Sequence, residues 1–539
     1  MKIIQKNWYL FVLLSFCFTQ EVLPLTQRYF HTEDMGYDYS RGTYLIVLAD
    51  ASLESILREE DTGDFIHFKK TQGYNVHIVD INDIGVNKDA LREYLSLYNA
   101  AALPWQTTDP LLEYVLLVGD VDTGSSFRIP AYQVASYSYP ELDITDHKYT
   151  YFDDDPLSPD FFIGRWSIRT IDELEKIKRR SIGYVTMNLP GTSYSLDPSY
   201  LNNALMVAAN YGDIFIPVTP VWTSKWLMDE LYNYGYTQVD TAFWQVGDDP
   251  SDISTISMAW NRGVGLIGYR GWGGATGWAY PDFRNTDLND LENIWKLPVV
   301  FSFVCNTGDF DRSGGDHCFA ETAITAPANG SSEVPIGAVA VIGPSDKDTD
   351  TKFNNPMYGT MMDALLENRV PELAPALHAG KQCLIKEFGD ILAPDTYGFE
   401  GTYAEFYHYV YNVLGDPSLP IWLGEPQNMT ASLNEGEHLT SSYIYTNVTD
   451  GEGNPLMDVV GALIVENELQ AKGLSNAEGD LVIDFENVSV GSNLELYLNK
   501  AQYYQKKINL YFDSDELVAV PSIDYQFESP DSSYLYTFI

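Results

Sequence analysis

Cysteine and positive charge are both scarce in this 539-residue chain, and each scarcity excludes something. Four cysteines cannot staple a chain this long, so its stability has to come from packed cores rather than a disulfide framework. Lys and Arg number 32 against 76 Asp and Glu, for a net charge of −44. That balance argues against a nucleic-acid partner, whose phosphates would be repelled. No Cys/His spacing fits zinc, and there is neither a phosphate-binding loop nor a G-x-S-x-G turn. Runs long enough to span a bilayer are also missing. The apolar run Trp8–Phe18 has 11 residues, too few to cross, and it follows Lys2 and Lys6. It reads as a signal peptide cleaved near Thr19, which implies a secreted or cell-surface protein. Cleavage would remove Cys17. Cys305, Cys318 and Cys383 would remain, enough for at most one bridge and one free thiol.

What is present is globular in composition. The apolar fraction is 45% and the charged fraction 20%, and the length calls for two to four domains. "TYLIVLAD" from Thr43, "YNVHIVD" and "YVLLVGD" read as buried strands, and the "LESILREE" and "KDALREYLSLYNAA" stretches between them as helices. This alternation predicts an α/β unit with a parallel sheet, whose working residues sit at the carboxyl ends of strands. Residues 131–160 read as loop, rich in Tyr and Asp. "FFIGRWS" and helix "IDELEKIKRRSIGYV" close this unit. A second unit carries strands "LNNALMVAANY", "GVGLIGYRG", "LPVVFSFVC" and "GAVAVIGPS". After Pro426 the pattern changes to short alternating segments, which predict a small immunoglobulin-like β-sandwich. The expected boundaries are a signal at 1–19, an extension at 20–42, α/β subdomains at 43–185 and 186–425, a sandwich at 426–510 and an acidic tail at 511–539.

The sharpest local feature is "VVFSFVCNTGDF", a buried strand expected to end at Cys305 and run into a polar glycine turn. A thiol placed there is exposed, and its own N–H can help hold an oxyanion. The alternative is a core cysteine packed as a small apolar group. "GLIGYRGWGGATGW" (Gly265–Trp278) ends a neighbouring strand in a glycine turn around Trp272, 33 residues before Cys305. A thiol nucleophile needs a base, usually histidine, and tryptophan cannot serve.

In order and spacing, "YVLLVGD", "FFIGRWS", "GYRGWGGATGW", "PVVFSFVCNTGDF", "CFAE", "GAVAVIGPS" and "LGDPSL" resemble the gingipain-type cysteine peptidases, family C25, over about Thr43–Pro426. The resemblance implies a caspase-like α/β/α fold of two subdomains and protein or peptide substrates. It sets Cys305 on the nucleophile and Gly273 on the glycine whose N–H completes the oxyanion hole. Asp160 falls on an acidic residue that orients the catalytic histidine, and Trp272 stands where that histidine is expected. His317 and His147 are candidate replacements; the plainer reading of His317 is a solvated loop residue. Arg270 and Trp278 are candidate pocket residues. The family also implies structural Ca²⁺. Asp309, Asp311 and Ser313 alternate before Gly314 like the first half of a calcium loop, though no Glu stands at the twelfth position. Asp346, Asp348 and Asp350, and Asp153–Asp155, are similar clusters.

Two readings of function follow. One is an exported cysteine endopeptidase acting through Cys305. The other is a pseudopeptidase, lacking its histidine, that binds or takes part in secretion or surface assembly, with the β-sandwich as docking module.

Overall fold

The computed structural model describes residues 22–30, 38–103, 111–192, 194–210, 220–245, 254–312, 316–330, 334–513, 524–529 and 532–537. The expected signal peptide and Ser313 lie outside these residues. Ten strands build one large sheet: β1 (Thr43–Leu48), β2 (Asn75–Asp80), β3 (Leu112–Val118), β4 (Phe162–Trp166), β5 (Asn203–Ala209), β6 (Gln238–Trp244), β7 (Leu266–Arg270), β8 (Val299–Ser302), β9 (Ala340–Pro344) and β10 (Tyr411–Leu414). Their spatial order is β6-β5-β7-β8-β9-β10-β4-β3-β1-β2. β1, β3 and β8 are buried at every position. Strands covered by helices on both faces read as unbroken apolar runs for this reason.

The sheet consists of two parallel blocks that meet head to tail. β9 and β10 pair antiparallel, with Val341 opposite Leu414 and Pro344 opposite Tyr411. β10 then runs parallel to β4. The carboxyl ends of β7, β8 and β9 therefore share one edge with the amino ends of β10 and β4. The stretch 131–160, expected to be loop, contains a hairpin, Tyr132–Ala135 with Leu142–Thr145. It crosses to the second block, where Ser345 Oγ donates to Ile144 O at 2.8 Å.

The C-terminal region is a two-sheet β-sandwich. Three strands (Met429–Ala431, Tyr443–Asp450, Asp480–Asp484) face five (Glu437–Leu439, Val460–Val465, Glu468–Leu474, Asn493–Asn499, Lys506–Phe512). Ile444, Val448 and Leu481 of one sheet share a core with Leu463, Leu496 and Ile508 of the other. In the tail, Asp524–Ser529 and Ser532–Thr537 form a hairpin.

Candidate active site

β7 and β8 lie side by side and parallel, with Leu266 opposite Val299 and Tyr269 opposite Ser302. Their exit turns are brought together as a result. The β8 strand stops at Ser302, three residues before the expected end at Cys305, because Val304 N–H turns back to Ser302 O at 3.1 Å. Cys305 thus lies in a turn, half-buried. That turn is bonded to the end of β9: Asn306 N–H donates to Asp346 O at 2.7 Å, and Gly308 N–H to Pro344 O at 2.8 Å. A Cβ at Gly308 would lie 2.4 Å from Gly343 O, so only glycine fits there. Below it, Thr307 and Ser302 hydroxyls bond at 2.9 Å, and Trp278 Nε1–H donates to Ser302 Oγ at 3.0 Å.

Gly273 reaches the same turn from the other side. A Cβ on it would lie 3.1 Å from Cys305 O and from both Val304 methyls. The backbones of the two turns therefore approach as closely as a glycine permits. Trp272, half-buried, is held by its own turn: its carbonyl accepts from the Tyr269 hydroxyl at 2.6 Å and from Ala279 N–H at 2.9 Å. Its ring meets those of Trp244 and Tyr280 edge-on, at 6.2 and 5.3 Å. An open cleft of about 620 Å³ lies against both turns, with Gly273, Thr276 and Asn306 on one side and Tyr139, Arg312 and Lys347 among its other walls.

The surroundings of Cys305 hold its proton rather than remove it. Burial and the nearby Asp346 carboxylate push the thiol up to about 11, while hydrogen bonds from Thr349 pull the other way. Carboxylates dominate this edge. Burial raises Asp346 to about 7 and Asp143 to about 9, each helped by neighbouring acids. All three described cysteines are free, so no bridge joins Cys318 to Cys383.

The other expected site residues disperse. Asp160 is exposed, at the amino end of β4; its N–H donates to Thr150 O at 2.7 Å, and its carboxyl has Asp153 and the Phe152 N–H for neighbours. None of these groups belongs to the Cys305 turn or the Trp272 turn. His317 is neither a solvated loop residue nor a base for Cys305. Its Nε2 is bound to Glu173 at 2.7 Å and its Nδ1 pairs with Glu321 at 3.6 Å. These carboxylates outweigh burial and raise the imidazole to about 10, so it stays protonated. His147 is buried, bonds Pro156 O at 2.6 Å and is held neutral by desolvation. Neither Arg270 nor Trp278 reaches the lining of this cleft. Both are fully buried, Arg270 against Asn355 Oδ1 at 2.7 Å and the Phe303 carbonyl, Trp278 stacked 4.4 Å from Tyr269.

Of the expected calcium ligands, Asp309 is raised to about 6 by burial and Asp311, while Asp311 turns outward to accept from Gln133 Nε2 at 2.5 Å. Asp153 and Asp155 cap a turn, accepting from Asp155 and Leu157 N–H groups at 3.1 and 3.0 Å. Asp350 precedes a helix and pairs with Lys352 at 3.4 Å. Asp346 alone of these joins a convergent acidic group, with Glu141 and Asp143. Those two partners fall in the stretch read as loop, and no spacing in the sequence marks them.

The model of Peptidase family C25 matches residues 38–422. Gingipain R1 of Porphyromonas gingivalis is 24% identical over 411 residues, 75% of this chain and 36% of that protein. Gingipain R2 of P. gingivalis strain W83 is 25% identical over 378 residues, 69% of this chain and 45% of that protein. This chain thus matches less than half the length of either relative. Among solved structures, the Arg-specific cysteine proteinase gingipain R superposes with a TM-score of 0.70, at 20% identity, over 88% of this chain and 98% of that one. A complex of the pro- and mature domains of P. gingivalis gingipain gives 0.69 over 87% of this chain and 100% of that one.

Proposed function

Because the chain belongs to peptidase family C25, we propose that it is a gingipain-related protein that receives a peptide segment in the cleft beside Cys305, with amide hydrolysis disabled because tryptophan replaces the expected imidazole at position 272. One observation carries this reading. Position 272 holds tryptophan, and each of the seven described histidines is engaged elsewhere: His67 with Tyr497, His77 with Tyr98, His147 with Pro156, His317 with Glu173, His378 with Gln382, His408 with Ala404 and His438 with Asp513. Amide cleavage needs a thiolate and then a proton for the leaving amine. Losing the group that moves both costs on the order of 10²–10⁴-fold, and the carboxylates beside Cys305 disfavour the thiolate further.

A second reading, an active endopeptidase, draws on the close approach of Gly273 to the Cys305 turn. Two N–H groups in that position suit a tetrahedral oxyanion, and a site with no reaction to run has no need of them. The N-terminal run Trp8–Phe18 supports export to the medium or the cell surface. The β-sandwich supplies a surface for docking there.

An electrophilic peptide probe and a mixed peptide pool separate the readings. The native chain should give no cleavage above a Cys305→Ala control, and Trp272→His should restore measurable cleavage. Turnover by the native chain that Cys305→Ala abolishes would overturn the disabled reading in favour of the peptidase.

A further inference from the structure

Arg165, Arg180 and Arg270 are each fully buried. A guanidinium keeps its charge at any ordinary pH, so its burial has to be compensated. Arg165 is met by the Asp146 carboxylate through two bonds, at 2.8 and 2.7 Å. Arg180 has no carboxylate but spreads its N–H groups over the carbonyls of Lys176, Ala323, Ala326, Ile336 and Ala338. Arg270, the last residue of β7, has neither arrangement. Its acceptors among the described residues are Asn355 Oδ1 at 2.7 Å and the Phe303 carbonyl. Its Nη2 is enclosed with no partner, and so is Nδ2 of Asn355. Each orphan shares its carbon with one atom of the Nε–H···Oδ1 bond, Nη2 with Nε and Nδ2 with Oδ1. Both N–H groups therefore fall within reach of a single acceptor.

We infer that Arg270 and Asn355 form a site for a small monovalent anion, of which chloride is the simplest. The free donors are one guanidinium N–H and one amide N–H, which suit an acceptor carrying a single negative charge. Water could satisfy both N–H groups, but it would leave the buried charge without a counter-charge, the costlier state. Asn355 is 7% exposed, so the site lies one side chain beneath the surface, deep enough to select a halide over a bulkier anion. Its placement gives the anion a role. Asn355 belongs to the helix Thr351–Leu366. Arg270 directly precedes the turn of Trp272 and Gly273, and the Phe303 carbonyl that it holds lies two residues before Cys305. An anion that fixes the guanidinium therefore clamps the exits of β7 and β8 to that helix, and with them both turns of the candidate site. This brace acts whether or not Cys305 turns over.

Melting the full chain in potassium gluconate, then exchanging gluconate for chloride at constant ionic strength, tests the site. The native Tm should rise with chloride, by about 2 °C for each tenfold increase once the site fills. Asn355→Asp sets a carboxylate beside the guanidinium in place of the amide. It should melt above the native chain in gluconate and should no longer respond to chloride. Asn355→Ala removes one donor and should move the chloride dependence to about tenfold higher concentration. Arg270→Met should abolish the response; if it fails to fold, Asn355→Asp carries the test by itself. Crystals grown in bromide give a second readout, with anomalous density expected within hydrogen-bonding reach of Arg270 Nη2 and Asn355 Nδ2. A native chain indifferent to chloride, a response equal in the native chain and Asn355→Asp, or a water at that position in the bromide crystals would each overturn the site.

Discussion

A thiol held at about 11 is ionised in about one molecule in ten thousand at pH 7, whereas an ordinary thiol near 8.5 is ionised in a few per cent. Cys305 therefore differs from an activated nucleophile by several orders of magnitude in thiolate before any base is considered. The cause is local: burial comes first, then Asp346, against the opposing pull of Thr349. Alkylation reads this directly, since only the thiolate reacts. In chelator, the labelling rate of Cys305, taken as the difference from Cys305→Ala, should rise about tenfold per pH unit from 7 to 10 with no plateau. A plateau near pH 8.5–9 would mean the thiol is not held up by its surroundings. Trp272 compounds the effect. Edge-on contacts with Trp244 and Tyr280 and two hydrogen bonds to its carbonyl make it a fixed part of the turn, so Trp272→His must also give up this packing.

At the scale of elements, three buried histidines and a lysine gather where the 3₁₀ turn His147–Tyr149 meets the helices Leu373–Phe388 and Tyr403–Val410. His147 and His378 stand 5.6 and 5.9 Å from His408, ring to ring. Lys381 donates to His408 O and Tyr411 O, both at 2.8 Å, and is lowered to about 7 by burial. Desolvation, with Lys381 adding to it, lowers His378 to about 3. A base depressed in the folded state binds fewer protons there than in the unfolded chain. Its neutral form is accommodated above its unfolded value near 6.5, and stability is lost as pH falls from there towards 3, at roughly 1.4 kcal/mol per unit for one such group. His378→Gln should flatten that fall by about one proton. Urea unfolding at pH 7, 5 and 4 measures it, and a variant losing stability as steeply as the native chain would contradict the assignment. Neither this cluster nor the join at β9 and β10 is legible in the sequence. "GAVAVIGPS" announces a buried strand because Ala338 to Ile342 are all apolar, but an apolar run carries no direction, so the head-to-tail meeting of the blocks stays hidden. "QVDTAFW" at β6 mixes polar and apolar residues as an edge strand does, and pattern alone passes over it. Of the candidate site, the sequence marks Cys305, Gly273 and Trp272, whose glycine turns follow apolar runs. Thr349 reaches the thiol only through tertiary contact, and nothing in its own neighbourhood marks it.

The whole molecule is strongly acidic, yet its sandwich is fastened to the α/β region by cations. Lys70 pairs with Glu468 at 2.6 Å and Arg28 with Asp458 at 2.6 Å. Lys472, from the sandwich, donates to Gly73 O at 3.3 Å and Asn75 Oδ1 at 3.1 Å, and Asn499 Nδ2 donates to Thr71 O at 2.7 Å. The centre of this contact is Gly73, in the turn between the helix Phe65–Thr71 and β2. Its φ is +90°, and a Cβ on it would lie 2.7 Å from Val460 Cγ1 of the sandwich. Gly73→Ala therefore meets two penalties, one in its own backbone and one across the joint. Gly453→Ala separates them, because Gly453 has φ +89° with nothing within 4 Å of the added carbon. A positive φ costs a non-glycine residue about 1–2 kcal/mol, so both variants should lose that much. Only Gly73→Ala should also loosen the joint, exposing the stretch around Pro426 to protease and letting the sandwich melt apart from the α/β region in scanning calorimetry. If Gly73→Ala and Gly453→Ala melt and digest alike, the close packing of Val460 on this turn does not hold the two regions together.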